Sequence, residues 1–129
     1  MMEPQLEIMV NTCYGGFSIS EAAMDEYRRR CPDRQEFEYY HIDRHDPVMV
    51  EIVKELGTRA NGLVAQIELR RIPALYAGHY SIGEYDGMEN VVIHRNTYKV
   101  DATRAILLNR ALTKSEKLAR VSAVLNTDI

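Results

Sequence analysis

The sequence predicts an α/β fold: a small sheet with a parallel βαβαβ core, an antiparallel hairpin at its edge and a C-terminal helical extension. Short apolar segments alternate with capped helical segments over residues 6–72. An Asp-Gly pair then separates two further strand-like segments, and helical periodicity takes over after residue 100. With 129 residues, the chain is expected to form one α/β domain, with a core over 1–95 and a helical extension over 100–129.

The first predicted strand is the apolar run Leu6–Val10, which ends in a loop with two glycines. Ser18 stands three residues before Glu21, which is the spacing of a capping box and predicts the start of a helix. Apolar residues recur at helical intervals after it, and Pro32 ends the helix.

The second strand is predicted over Phe37–Ile42, where apolar residues partly alternate with polar ones. Asp46 and Pro47 form the start of a second helix, and Gly57 is placed to end it. The third strand, Ala65–Ile72, alternates clearly, which indicates an edge strand or a sheet covered on one face. This order of elements predicts right-handed crossovers and parallel strands.

The predicted hairpin joins Tyr80–Tyr85 to Met88–His94 through a two-residue turn. Helices are expected over Asp101–Ala111 and from a capping box at Thr113 to about Leu125. Their apolar faces must pack on the sheet or on a second copy of the chain. Because a single small sheet cannot readily cover so much apolar surface, the sequence predicts a homo-oligomer, with a dimer as the commonest form.

The charge balance and the distribution of apolar residues argue against several classes of function. Sixteen basic and nineteen acidic residues give a net charge of −3, which disfavours nucleic-acid binding and attraction to an anionic membrane. The chain starts too acidic for a signal peptide, and no apolar run approaches the roughly 20 residues of a membrane span. An intracellular protein is therefore expected. Cys13 and Cys31 lie at opposite ends of the first strand-helix unit, so both are predicted to be unbridged thiols.

A polar ligand site is predicted where parallel strands would end. Asparagine, tyrosine and arginine side chains can fix a polar ligand, a glycine pair allows close backbone approach, and the arginine can pair with a phosphate or carboxylate. The predicted site residues are Asn11, Tyr14, Gly15, Gly16, Arg44 and Glu84. In the structural alternative, Asn11 ties down loops and Arg44 pairs with Asp46 or Glu84. Catalytic residues stay unassigned.

Three other patterns have both a functional and a structural explanation. Cys13 precedes a helix, but a cysteine phosphatase needs arginine where Ile19 stands, so a buried inert thiol is favoured. The alternating run from His41 to His45 has a metal-ligand spacing, but a helix starts directly after it, so no metal is predicted. Glu84 and Glu89 would face each other across the hairpin, which requires a different register or a cation between them, such as Arg44, Arg95 or a metal.

Four motifs occur in an order that resembles a family of small proteins encoded by large DNA viruses of protists, including the marseillevirus group, and by bacteriophages. The motifs are Asn11–Ser18, Arg44–Pro47, Glu55–Gly57 with Ala60–Gly62, and Glu84–Gly87 with His94 and Arg95. The resemblance covers about residues 6–95 and carries no established activity. It implies a viral protein, in the virion or the host cytoplasm, with virion or host proteins as partners.

Two functions from different classes remain at this point. The first is a non-enzymatic, oligomeric binding or virion-associated module. The second is an enzyme acting on a nucleotide-like or phosphorylated small molecule. The chain lacks a Walker lysine and a dinucleotide fingerprint, so no cofactor is predicted and the first function is favoured.

Overall fold

The computed structural model describes residues 3–126 and contains both helices and strands. The first four long elements are a strand, two helices and a strand, where the sequence predicts alternation, and the last four are a strand pair and a helix pair. They are β1 (Gln5–Asn11), α1 (Glu21–Arg30), α2 (Pro47–Leu56), β2 (Ile67–Pro73), β3 (Tyr80–Tyr85), β4 (Met88–Ile93), α3 (Arg95–Leu108) and α4 (Lys114–Leu125).

The predicted parallel βαβαβ core is wrong. β1 and β2 form a two-stranded antiparallel sheet, with Gln5 opposite Pro73 and Asn11 opposite Ile67. β3 and β4 form a second two-stranded sheet, also a hairpin. Both α1 and α2 therefore lie in the connection between two antiparallel strands, and neither belongs to a parallel crossover.

The prediction fails at Phe37–Ile42, which is not a strand. Its centre is a 3-10 turn, Tyr39–His41, and the backbone N–H of Glu38 donates to His41 Nδ1 at 2.9 Å. This local hydrogen bond competes with strand pairing. The edge of β1 that a parallel neighbour would occupy is instead met by a loop, where Met9 N–H donates to the Arg44 carbonyl at 2.8 Å.

Helix α1 begins two residues later than predicted. Its N-cap is Ser20, whose Oγ accepts from the Ala23 N–H at 3.2 Å. Ser18 is engaged elsewhere, because its carbonyl accepts from the Gly62 N–H at 3.0 Å and Ile19 bridges to Asn61. Ser18 thus joins the loop before α1 to the loop after α2, and Ser20 is the N-cap of α1.

The predicted start and end of α2 are confirmed. Asp46 Oδ1 accepts from the N–H groups of Val48 at 2.9 Å and Met49 at 3.1 Å, and Pro47 occupies the first helical position. Gly57 ends the helix with a φ of 59°.

The predicted Asp-Gly turn is also confirmed. Asp86 has φ 52° and Gly87 has φ 92°, the left-handed pair that a tight hairpin needs. A Cβ at Gly87 would also lie 2.6 Å from the Tyr14 carbonyl oxygen. Glycine is required there because the turn touches the loop after β1.

The main core lies between α1, α2 and β1. Apolar side chains from one face of each helix meet there, as helical spacing predicts. Its most deeply buried members are Met9, Ala23, Met24, Tyr27, Met49 and Ile52. These residues position the loops that follow β1 and precede α2.

The chain divides into two compact units. In the described residues, the first unit comprises 3–74 and Ile82–Val92, and the second comprises Leu75–Ser81 and 93–126. The second unit carries α3, which begins six residues earlier than predicted, and α4, whose Thr113 capping box is confirmed. No helix in the described part of the chain has the length and apolar character to cross a membrane.

Within the second unit, α3 and α4 run in opposite directions. Lys99, near the start of α3, donates to the Leu125 carbonyl at 3.2 Å, and Lys117 of α4 donates to the Leu107 carbonyl at 2.8 Å. Each lysine therefore binds a carbonyl at the C-terminal end of the other helix, where positive charge is favourable. We call this pair of helices the helical hairpin.

Candidate functional site

Asn11 ends β1 and is fully buried. Its Nδ2 donates to the carbonyls of Cys13 and Gly87, both at 2.7 Å, and its Oδ1 accepts from the Gln66 N–H at 2.8 Å. Its own N–H donates to Glu89 Oε1 at 2.9 Å. Asn11 thus joins three chain segments, as the structural alternative proposed, and its amide is fully occupied by protein groups.

Arg44 lies in the loop before α2 and is held by Glu89 of β4. The guanidinium donates to both carboxylate oxygens, at 2.7 and 3.0 Å, and to the Met9 carbonyl at 3.2 Å. It also stacks on the Phe17 ring, 3.5 Å from the ring centroid. The Glu89 side chain is only 8% exposed, so this is a bidentate, largely buried ion pair.

This pair resolves two expectations from the sequence. Arg44 pairs with Glu89, and neither Asp46 nor Glu84 takes that role. Arg44 is also the cation that offsets the repulsion between Glu89 and Glu84 on the same hairpin. Glu84 uses Oε1 to accept the Gly87 N–H at 3.1 Å, which closes the turn.

A cleft of about 300 Å³ opens beside this pair in the first unit. Three aromatic residues, three charged residues and two glycines are among the residues that line it. Its lining residues are Gly16, Phe17, Tyr39, Tyr40, Ile42, Arg44, Glu84, Gly87 and Glu89. One guanidinium against two carboxylates leaves the lining with a formal charge of −1.

The cleft includes three of the six predicted site residues, Gly16, Arg44 and Glu84. Asn11 is buried next to it, and Tyr14 and Gly15 lie outside its lining, with Tyr14 64% exposed. The predicted position, at the carboxyl ends of parallel strands, is wrong because residues 3–126 form no parallel sheet. The cleft forms instead where the hairpin turn meets the loop after β1.

The predicted site residues include neither the aromatic residues of the cleft nor Glu89, which the sequence singles out only for its place opposite Glu84. Tyr39 and Tyr40 are predicted in a strand, but the 3-10 turn places them side by side, with ring centroids 5.4 Å apart. Tyr40 is 69% exposed. The available signal was the run Phe37–His41, where four of five residues are aromatic or imidazole rings beside a single acidic residue.

A second polar cluster lies at the start of α2 and has a structural role. The Tyr27 hydroxyl donates to Asp46 Oδ2 at 2.9 Å, and Arg34 donates to the same oxygen at 3.0 Å and to the Tyr27 hydroxyl. Burial is the main cause that raises the pKa of Tyr27 to about 12. The cluster satisfies the buried carboxylate that caps α2.

The thiol and histidine patterns lead to no reactive centre. Cys13 Sγ donates to the Val64 carbonyl at 3.1 Å, and both cysteines are unbridged, as predicted. In residues 3–126, no group of three His, Cys, Asp or Glu side chains is placed to hold a metal ion. His41 Nδ1 instead accepts a backbone hydrogen bond inside its 3-10 turn.

Comparisons with known proteins do not identify this site: no protein-family model, no curated protein and no solved structure matches the chain.

Proposed function

We propose that this chain is a non-enzymatic binding module whose cleft holds a cationic group, such as a lysine or arginine side chain of a protein partner. The observation that carries the proposal is the excess of carboxylate over guanidinium in an aromatic cleft. Arg44 is occupied by Glu89, so the field it would offer to an anion is cancelled. Glu84 supplies the remaining negative charge.

Aromatic faces and a carboxylate together suit an amine or guanidinium. A cation over a tyrosine ring gains about 0.5–1 kcal/mol at an exposed site. The first unit already contains such a contact, because the Arg44 guanidinium stacks on Phe17 while it binds Glu89. A ligand cation placed between Tyr40 and Glu84 would repeat this combination of ring and carboxylate.

The resemblance to proteins of large DNA viruses supports a viral origin, and with it a role in the virion or the host cytoplasm. A binding module with virion or host proteins as partners fits an acidic, aromatic cleft that takes basic side chains. We further propose that the chain is a homo-oligomer, because the helical hairpin exposes apolar side chains that an assembly would cover.

The cleft is tested by titrating the protein with N-acetylarginine amide and N-acetyllysine amide, monitored by amide chemical shifts in NMR. We expect shifts confined to the cleft, at Gly16, Tyr40 and Gly87. Replacing Glu84 with Gln keeps an acceptor for the turn and removes the charge, so binding should weaken about two- to fivefold. Glu36→Gln, an equal charge change at another exposed glutamate, is the matched control and should leave binding unchanged.

Inorganic phosphate in the same titration tests the opposite ligand charge. Shifts at Arg44 with phosphate, and none with the two cations, would contradict the proposal and favour a phosphorylated small molecule. Equal loss of cation binding in Glu84→Gln and Glu36→Gln would contradict it as well, since it would show attraction to overall negative charge.

A further inference from the structure

The helical hairpin exposes a continuous apolar surface. A hollow of about 430 Å³ is lined by Val100, Leu107, Leu108 and Leu125, and a second hollow of about 240 Å³ shares Leu107 with it. Leu108 is 73% exposed, and no described residue of α3 or α4 is buried. A surface of this kind is typical of a protein interface.

The rim of that surface is basic. Lys99 and Arg104 flank the larger hollow, and Lys114 and Lys117 flank the smaller one. Residues 95–129 hold seven basic and three acidic residues, whereas residues 1–94 hold nine basic and sixteen acidic ones. The chain therefore combines a basic C-terminal segment with a strongly acidic remainder.

This charge pattern argues against face-to-face pairing of two helical hairpins. A two-fold interface would set the four basic rim residues of one copy against the same four of the other, and like charges at an interface are unfavourable. The surface that complements the helical hairpin must be apolar at its centre and acidic around it.

The first unit offers such a surface next to the cleft. Leu63 is 99% exposed and Tyr85 is 79% exposed, and between them lies the loop that carries Tyr14. The loop is joined to both sides, because Cys13 donates to the Val64 carbonyl and Gly87 lies against the Tyr14 carbonyl. The hairpin turn adds two exposed acidic residues, Glu84 and Asp86, while the Glu89 side chain is largely buried and paired with Arg44. We call this the acidic loop surface.

We infer that the partner of the cleft is a second copy of this chain, whose helical hairpin docks head to tail on the acidic loop surface. The inference rests on the proposed function, since it places a basic rim side chain such as Arg104 of the second copy in the cationic site beside Glu84. Head-to-tail contacts are heterologous, so the assembly grows beyond a dimer or closes into a ring.

Sedimentation velocity across a concentration series tests the assembly on the full chain. At about 50 mM salt we expect masses beyond a dimer at high concentration, and at about 500 mM salt a shift toward the monomer, since salt screens the exposed charges. Arg104→Glu should weaken association about tenfold. Arg110→Glu, the same charge reversal in the loop outside both hollows, is the matched control and should have a much smaller effect.

Mixing two defective variants distinguishes head-to-tail from two-fold pairing. Leu63→Lys/Tyr85→Lys changes two side chains that are almost fully exposed, so the fold should persist while the acidic loop surface is lost. At the lowest concentration at which the wild type assembles, this variant and Arg104→Glu should each stay largely monomeric when alone. Their mixture retains one intact interface and should form a one-to-one dimer that does not grow.

Three results would overturn the inference: a wild-type monomer at every concentration in low salt, a dimer that Arg104→Glu leaves intact, or variants whose mixture stays monomeric. Arg104-dependent binding of a monomer to vesicles of anionic lipid would also overturn it and assign the helical hairpin to a membrane surface. If association fails while N-acetylarginine amide still binds through Glu84, only the head-to-tail inference falls. If both fail, the proposed function falls as well.

Discussion

The first unit and the helical hairpin differ in how far they bury their side chains. The first unit buries Asn11 and Asp46 and satisfies each with several hydrogen bonds, over a core in which Ile52 and Tyr27 are fully enclosed. In the helical hairpin, no described residue of either helix is buried. The comparison shows that side-chain burial is concentrated in the first unit, whereas the apolar side chains of the helical hairpin stay exposed.

Helix length makes the difference physically reasonable. Helices of 14 and 12 residues are marginal in water when they stand alone, and most helical stability in proteins comes from burying one face. The helical hairpin compensates with two lysines on helix C-termini and a capping box at Thr113. Such surface contacts contribute little each, so covering its apolar face by a partner would stabilise it most.

The largest effect should come from Asn11→Ala in the first unit. The substitution leaves the Gln66 N–H and the Gly87 and Cys13 carbonyls without the partner they have now. Leaving several buried polar groups unsatisfied should lower the free energy of unfolding by about 3–5 kcal/mol, as measured by urea denaturation. Asn96→Ala, at an exposed position of α3, is the control and should change it by less than about 0.5 kcal/mol.

A matched pair of apolar substitutions sharpens the comparison directly. Ile52→Ala opens a cavity in the main core and should cost about 2–5 kcal/mol. Leu108→Ala removes a similar volume from a side chain that is 73% exposed, so in the monomer it should cost less than about 0.5 kcal/mol. Both are measured by urea denaturation in high salt. Equal costs would show that the helical hairpin is packed as tightly as the core.

Alkaline pH should weaken the first unit through Tyr27. Its pKa is raised from 10.0 to about 12, so the neutral hydroxyl is favoured in the folded state. This contribution is fully present below pH 10 and is lost as the pH rises toward about 12. In thermal unfolding across that range, Tyr27→Phe should flatten the pH dependence, whereas Tyr85→Phe, at an exposed tyrosine, should leave it as in the wild type.

Local signals in the sequence predicted local structure well. The Asp46-Pro47 start of α2, the Asp86-Gly87 turn and the Thr113 capping box all depend on contacts between residues two or three positions apart. Such contacts are determined by the residue types themselves. The sequence could therefore identify the bounds of α2 and α4 and the hairpin turn, but it misplaced the starts of α1 and α3.

Non-local pairing could not be predicted in the same way. Phe37–Ile42 has strand-like composition, but the hydrogen bond from Glu38 N–H to His41 Nδ1 and the contacts between neighbouring rings favour a 3-10 turn. β1 then pairs with β2 in the antiparallel sense, more than fifty residues away along the chain. One wrongly assigned strand was enough to change the predicted topology from antiparallel to parallel.

Three of the six predicted site residues, Gly16, Arg44 and Glu84, line one cleft. The sequence offers Arg44 as one of three cations for Glu84 and Glu89, but it does not reveal that both terminal guanidinium nitrogens donate to Glu89. The net charge of −3 also does not reveal that a basic segment, 95–129, follows an acidic one, 1–94. A separate count of the charges in each segment does.

The smallest effect should be an acid-induced loosening of α4 through Glu116. In the capping box, Glu116 Oε1 accepts the Thr113 N–H at 3.1 Å, and the Glu116 N–H donates to Thr113 Oγ1 at 3.1 Å. The hydrogen bond from the Thr113 backbone is the main cause that lowers the pKa of Glu116 below its ordinary 4.5. A lowered pKa means that this stabilisation is present above pH 4.5 and is lost as the pH falls through the folded-state value.

Amide hydrogen exchange at the first turn of α4 measures the loosening without unfolding the rest of the chain. Exchange, corrected for its intrinsic pH dependence, should rise in the wild type as the pH falls below 4.5. Glu116→Gln keeps an acceptor for the Thr113 N–H but cannot titrate, so its corrected exchange should be the same across that range. Ser115→Ala, at an exposed neighbour outside the capping box, should behave as the wild type does. If Glu116→Gln instead follows the wild type, the acid sensitivity of α4 has another source, and the capping box does not limit the stability of the helical hairpin.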